Sequence, residues 1–166
     1  MLSIRACGVR DFQDVYEVCN DGARAYRDVI PADQWKEPYM PEAELRRELD
    51  AGVRFFGAFD DHGLVAVMGL QDVIDVALIR HAYTRTIRQR TGLGGRLLGH
   101  VLSLTNRPIL VGTWKAATWA IRFYERHGFT LIDYRQREAL LRRYWTITAR
   151  QIEASVVLAN ARWFGY

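Results

Sequence analysis

The chain has 166 residues, 49% hydrophobic and 25% charged, the profile of one ordinary globular domain spanning 1–166. A domain of this size buries roughly 70% of the surface its unfolded chain exposes, so it needs no metal or disulfide. No stretch nears the roughly 20 apolar residues of a membrane span, and Cys7 and Cys19 have no metal-ligand spacing and suit a reducing, cytoplasmic setting. The net charge of +4 gives weak grounds for a nucleic-acid partner, but its make-up is skewed: of 23 Lys+Arg only Lys36 and Lys115 are lysines, leaving 21 arginines. Arginine is the better fork for phosphate and carboxylate.

The chain opens with a short alternating strand, Leu2 to Cys7. Asp11 then starts a helix whose apolar positions Phe12, Val15, Val18 and Cys19 repeat at helical spacing, and which can run on to Tyr26. RDVIPADQWKEPYM reads as a loop around a short helix, and Pro41 with Glu42 and Glu44 starts another that ends at Gly52. Val53–Phe59 and Leu64–Leu70 flank a turn at Asp60–Gly63, and the apolar run within Val73–Thr84 suits a third strand covered on both faces. A helix from about Leu93 to Leu104, a buried strand ILVGT, a helix from Ala116 to Arg126 stopped by Gly128, and a strand Phe129–Tyr134 follow. One or two short helices between Glu138 and Glu153 precede a last strand at Ser155–Ala159. Strands that first meander and then alternate with helices predict a mixed α/β sheet of about seven strands, with helices on both faces.

The chemistry concentrates in HAYTRTIRQRTGLGGRLLGHVLSL. Gly92, Gly94 and Gly95 stand where a helix begins, so free N–H groups and the helix dipole can meet an anion. Arg85, Arg88, Arg90 and Arg96 fall in this stretch and Arg80 immediately precedes it, with no acid among them, which describes a phosphate or pyrophosphate cradle. Gly95 is followed by Arg96-Leu97, so neither the Lys-Ser/Thr of a P-loop nor the third glycine of a dinucleotide fingerprint is present. A tight strand–helix junction without ligand is the plain alternative.

Gln89-Arg90-Thr91-Gly92-Leu93-Gly94 resembles the Q/R-x-x-G-x-G/A signature of the GNAT superfamily of N-acetyltransferases. Ala120 to Phe129, AIRFYERHGF, resembles that superfamily's second motif, A-x-x-F-Y-x-x-x-G-F. The resemblance implies an acetyl-CoA-dependent enzyme without a metal, moving an acetyl group to the primary amine of a small molecule. Acetyl-CoA would lie between the strand ending near Thr84 and ILVGT. Its pantetheine would pair with the backbone of Ala82, Tyr83 and Thr84, and its pyrophosphate would meet Gln89, Arg90, Thr91, Gly92, Leu93, Gly94 and Gly95, with Arg85 beside it. Tyr124 would protonate the leaving thiolate. A protein or aminoacyl-tRNA acceptor, and a non-catalytic acyl-CoA-binding domain, are the alternatives. Pairing of two copies is an expectation from resemblance only.

Three positions depart from the family pattern: Ala117 where Asn is common, Thr86 where proline often stands, and Leu78 in place of a strand glutamate that serves as base. The base is therefore open, with His81 and Asp75 on the strand before the glycine turn as first candidates, and Asp72, Glu37 or a held water behind them. Tyr26, Trp35, Glu37 and Tyr39 in the early loop, with Trp114, are candidates for holding a cationic amine, since aromatic faces and a carboxylate attract it. Packing of that loop on the core is the plain alternative.

Overall fold

The computed structural model describes residues 1–166. Its strands are β1 (Ser3–Ala6), β2 (Arg54–Asp60), β3 (Gly63–Val73), β4 (Val76–Thr84), β5 (Ile109–Trp114), β6 (Thr130–Leu131) and β7 (Ser155–Ala159). Its α-helices are α1 (Phe12–Ala23), α2 (Glu42–Asp50), α3 (Leu93–Leu102), α4 (Thr118–Arg126), α5 (Tyr134–Tyr144) and α6 (Ala149–Glu153). The strands take the order β1-β2-β3-β4-β5-β7-β6. The chain divides into two compact units, Met1–Arg27 with Lys36–Gln71 and Ile79–Asn106, and Asp28–Trp35 with Asp72–Leu78 and Arg107–Tyr166. The strand β4 contributes to both.

In the first unit β1 and β2 pair antiparallel, as do β2 and β3, with a bulge that skips Val65. Successive residues of a strand face opposite ways. Phe55 therefore joins Val15, Val18 and Cys19 of α1 and Leu45 of α2 in one buried cluster, while Phe56 lies on the other face with its ring 5.9 Å from that of His100 in α3. Each fully buried side chain of this cluster contributes roughly 1.5–3 kcal/mol. Helix α2 ends in a Schellman motif: Val53 N–H donates to Glu48 O (3.0 Å), Gly52 N–H donates to Leu49 O (3.0 Å), and Gly52 takes φ +96°.

In the second unit β7 pairs antiparallel with β5 and with β6, and Leu141, Tyr144 and Ile152 pack with Val76, Leu78, Leu110 and Val157. Buried Arg137 of α5 holds the start of β7, donating from one terminal nitrogen to the carbonyls of Ile152 and Ser155.

Four sequence expectations shift. The long strand Val73–Thr84 is broken by a two-residue turn at Ile74–Asp75, where Ile74 takes φ +52° and Arg107 donates to the carbonyls of Ile74 and Val76. A β-branched residue rarely adopts that conformation, so the apolar run hides the turn. The first helix stops at Ala23 and passes into a 3-10 turn at Arg24–Tyr26. The loop helix reduces to one turn, with Gln34 and Trp35 N–H both donating to Pro31 O (2.8 and 3.1 Å). The strand Phe129–Tyr134 shrinks to two residues because Asp133 caps α5, accepting from Arg135 N–H at 2.7 Å. No helix is long and apolar enough to cross a membrane.

Candidate active site

The glycine turn belongs to the first unit. A 3-10 turn at Thr86–Arg88 follows β4, Thr91 Oγ1 donates to Arg88 O (2.6 Å), and both Arg90 (φ +63°) and Gly92 (φ +83°) are left-handed. Left-handed Gly92 leading straight into the helix aims successive backbone N–H groups at one concave spot suited to an anion. Gly92 supplies no side-chain cap to α3, and the helix has no acid in its first turn. The first helical bond is Arg96 N–H to Gly92 O at 3.2 Å, which leaves the N–H groups of Leu93, Gly94 and Gly95 at the open end of α3. By contrast α6 has a full capping box, Thr148 with Gln151.

The five arginines from Arg80 to Arg96 do not form one uncompensated cluster, because acids distant in sequence reach three of them. Arg80 meets Glu48 (3.5 Å) and Arg88 meets Asp60 (2.9 Å). Arg85 meets Glu17 (3.6 Å) and also donates from Nε to Leu64 O (2.8 Å). Arg90 and Arg96 are exposed and have no acidic partner. Asp21 braces the turn by accepting from Thr86 N–H at 2.7 Å, and Gln89 Nε2 donates to Thr84 O at 3.3 Å.

Upstream, β4 is gripped at two glycines. A Cβ on Gly22 of α1 would lie 2.7 Å from Tyr83 Cβ and 3.0 Å from Thr84 O, and one on Gly69 of β3 would lie 2.7 Å from Arg80 O. Between these contacts His81 takes φ +55°, a conformation uncommon for residues other than glycine. Its Nε2 lies 3.3 Å from Glu48 Oε2 and its ring stacks on Phe55 with centroids 6.0 Å apart. Burial opposes ionisation of Glu48, but His81, Arg80 and Arg47 outweigh it and hold the carboxyl below its ordinary value.

Tyr26 and Tyr39 both meet Tyr83 edge-on, at 6.1 and 6.4 Å between centroids, while Ala82 is half-buried beside it and Glu37 is exposed. Burial, reinforced by Tyr39, raises the Tyr26 phenol to about 12, and burial pushes Tyr83 up as well. Both present neutral hydroxyls at neutral pH. Burial likewise pushes the Cys7 thiol up to about 12 and raises Cys19, so neither is an activated nucleophile.

Tyr124 belongs to the second unit. It sits in the last turn of α4, 5% exposed, with its ring 5.5 Å from that of Phe129. Phe129 N–H donates to Tyr124 O (3.0 Å), Gly128 N–H donates to Glu125 O (3.2 Å), and Gly128 takes φ +87°. This is a second Schellman motif, with its usual apolar contact between the residues that bracket the glycine. The Y-x-x-x-G-F spacing is thus the spacing that this cap requires. Trp114 ends β5 and Trp35 closes the turn from Pro31, both half-buried in this unit.

Asp75 also lies in the second unit, and it sits in the turn before β4 rather than on the strand beside His81. It accepts from Tyr144 OH at 2.7 Å, with Arg143 at 3.8 Å. That hydrogen bond, with Arg143 and Arg107 nearby, holds its carboxyl below the ordinary value. Asp72 pairs with Arg107 at 3.9 Å. No three His, Cys, Asp or Glu side chains gather as a metal-binding group.

Residues 17–143 match the family model described as the acetyltransferase (GNAT) domain. The chain belongs to the GNAT acetyltransferase family. Solved structures share its fold at low identity. A GNAT-family acetyltransferase from Staphylococcus aureus Mu50 is 15% identical with a TM-score of 0.72, over 96% of this chain and 98% of that one. The PaiA N-acetyltransferase from Thermoplasma acidophilum, solved in complex with coenzyme A, is 16% identical with a TM-score of 0.73 over the same shares. The ribosomal-protein-S18-alanine N-acetyltransferase from Escherichia coli is 18% identical with a TM-score of 0.66, over 96% of this chain and 93% of that one. No curated protein sequence matches the chain. Membership makes acetyl-group transfer the chemistry against which these residues are read.

Sequence reasoning passed over Glu48, Gln71 and Gly69. Glu48 sits among alternating charges of α2 and looks like solvated surface, and only the fold brings it to β4.

Proposed function

We propose that this GNAT protein is a cytoplasmic, acetyl-CoA-dependent N-acetyltransferase acting on the primary amine of a small molecule. The observation that carries the cofactor is the open N-terminus of α3, begun by left-handed Gly92 and flanked by Arg90 and Arg96 without acidic partners. Such an end, with its dipole, suits a pyrophosphate. Acetyl-CoA is a co-substrate here, and the thioester it brings supplies the activated acyl group.

An alkylamine with pKa near ~10.4 arrives mostly protonated and must lose a proton before it attacks. Its nitrogen lone pair then forms the C–N bond at the thioester carbonyl carbon, and the C–S bond breaks. As the amide forms the nitrogen sheds its second proton to water, and the departing thiolate, near pKa ~8.5 if it resembles cysteine, takes one up. Tyr124 is the donor in this reading. Its buried position behind the Gly128 cap supports a fixed hydroxyl rather than a mobile one. The aromatic rings of Tyr26, Tyr39 and Tyr83 support an aromatic wall for a small cation.

The test is thiol release from acetyl-CoA across a panel of small amines, with N-terminal peptides included, beside a thermal melt. Acetyl-CoA at about 100 times its Kd stabilises by about 2.7 kcal/mol, a rise of about 5–11 °C for a chain of this size. A folded protein whose melt ignores millimolar acetyl-CoA removes the cofactor. Turnover with peptides alone removes the small-molecule acceptor.

A further inference from the structure

The family's usual base is missing at Leu78, and the fold places another pair of titratable groups three residues on. We propose that Glu48 is a positioning residue that fixes the His81 imidazole as proton acceptor for the incoming amine, an inference that rests on the acetyltransfer reading. His81 Nε2 and Glu48 Oε2 are both buried and lie 3.3 Å apart, in ion-pair range but not aligned as a hydrogen bond, and neither atom has a hydrogen-bond partner elsewhere. A carboxylate can only accept, so closing this contact into a hydrogen bond puts the hydrogen on Nε2 and leaves the basic lone pair on Nδ1. Nothing in the protein bonds to Nδ1, and the His81 side chain keeps 14% of its surface exposed.

The pair is held from several sides. Arg80 of β4 binds Glu48 through Oε1 at 3.5 Å, leaving Oε2 for His81. Gln71 of β3 accepts from Arg80 (3.2 Å) and donates to Ala51 O (3.0 Å), tying the end of α2 to the network. Arg47 on α2 is the remaining nearby cation, and Phe55 of β2 covers the imidazole face. The Schellman cap fixes the Glu48 backbone through Val53 N–H.

Two costs make a purely structural role hard to sustain. His81 holds a positive-φ backbone that glycine would adopt more readily. Glu48 places an anion in the last turn of α2, where the helix dipole disfavours it. The loose 3.3 Å contact fits a pair that tightens when the imidazole gains its proton, since such bonds are often long before substrate binds. The step balances simply: the ammonium loses H⁺ to Nδ1, the imidazolium is stabilised by Glu48, and the proton leaves to water after acetyl transfer.

The experiment compares full-chain parent, Glu48→Gln, Glu48→Asp and His81→Asn by thiol release with the best amine of the panel, and by ¹⁵N NMR of the imidazole. Asparagine tolerates the left-handed region, so His81→Asn keeps the backbone while removing the base. Glu48→Gln is expected to lower kcat about 10–100-fold, His81→Asn about 100-fold or more, and Glu48→Asp to recover part of the loss, with the acetyl-CoA KM changed less than about 2-fold. The imidazole of the parent should be the Nε2–H tautomer, and Glu48→Gln should mix the two tautomers. Parental kcat in Glu48→Gln, or an unchanged single tautomer there, overturns the inference. A parent inactive on every amine instead overturns the acetyltransfer reading, and the tautomer measurement still decides the pairing.

Discussion

Two helical glycines should respond to alanine with opposite signs. Gly22 in α1 and Gly99 in α3 both have room in backbone terms, since neither takes a positive φ. Alanine in a helix interior is favoured over glycine by roughly 0.5–1 kcal/mol. At Gly99 nothing lies within 4 Å of the added Cβ, so Gly99→Ala should gain that amount, about 1–4 °C in Tm for a chain of this size. At Gly22 the Cβ would stand 2.7 Å from Tyr83 Cβ, 3.0 Å from Thr84 O and 3.1 Å from Thr84 N. Carbon atoms prefer about 3.5–4.0 Å, and these neighbours are backbone or Cβ atoms that cannot rotate away. Overpacking of this kind costs about 1–3 kcal/mol, which outweighs the propensity gain. Gly22→Ala should therefore lose about 1–2 kcal/mol net and melt about 2–8 °C lower. Because the end of α1 must back away from Tyr83 and Thr84, acetyl-CoA affinity should fall as well. Calorimetric melts of both variants with and without acetyl-CoA check this. A Gly22→Ala protein that melts at or above the parent refutes the close-approach argument.

Tyr124→Phe should lower kcat about 10–100-fold while leaving acetyl-CoA affinity nearly unchanged, and an unaltered kcat in steady-state thiol release would remove the hydroxyl from the reaction. The double variant Arg90→Gln, Arg96→Gln should weaken acetyl-CoA binding about 10-fold or more and flatten its salt dependence, since both cations are exposed and screened; calorimetric titration at two ionic strengths tests it. Arg150 and Gln34 hold the Asp33 carboxyl at about 2, below its ordinary 3.8. A carboxyl depressed on folding contributes stability that is present above about pH 3.8 and lost as pH falls toward 2. Urea midpoints of parent and Arg150→Gln should therefore differ by a constant amount above pH 4 and converge below it, and a gap that persists at pH 2 would contradict the assignment.

The sequence alone was enough to read the order of elements and the two family motifs, because both are local physics. Apolar spacing marks α1 and α3, and glycines stand where backbone must turn left-handed, at Gly52, Gly92 and Gly128. The Y-x-x-x-G-F run is a capped helix end, legible because the cap spans only six residues. The tertiary structure decided what depends on distant partners. It assigned Arg80, Arg85 and Arg88 to Glu48, Glu17 and Asp60, so an arginine excess that looked like one open cluster contains two arginines without acidic partners. It put Asp75 in a turn against Tyr144 and not on a strand beside His81. It also brought Glu48, 33 positions earlier in the chain, to His81. Side-chain chemistry at this site is set by electrostatics over a few ångströms, and local sequence patterns do not record which residues folding brings that close.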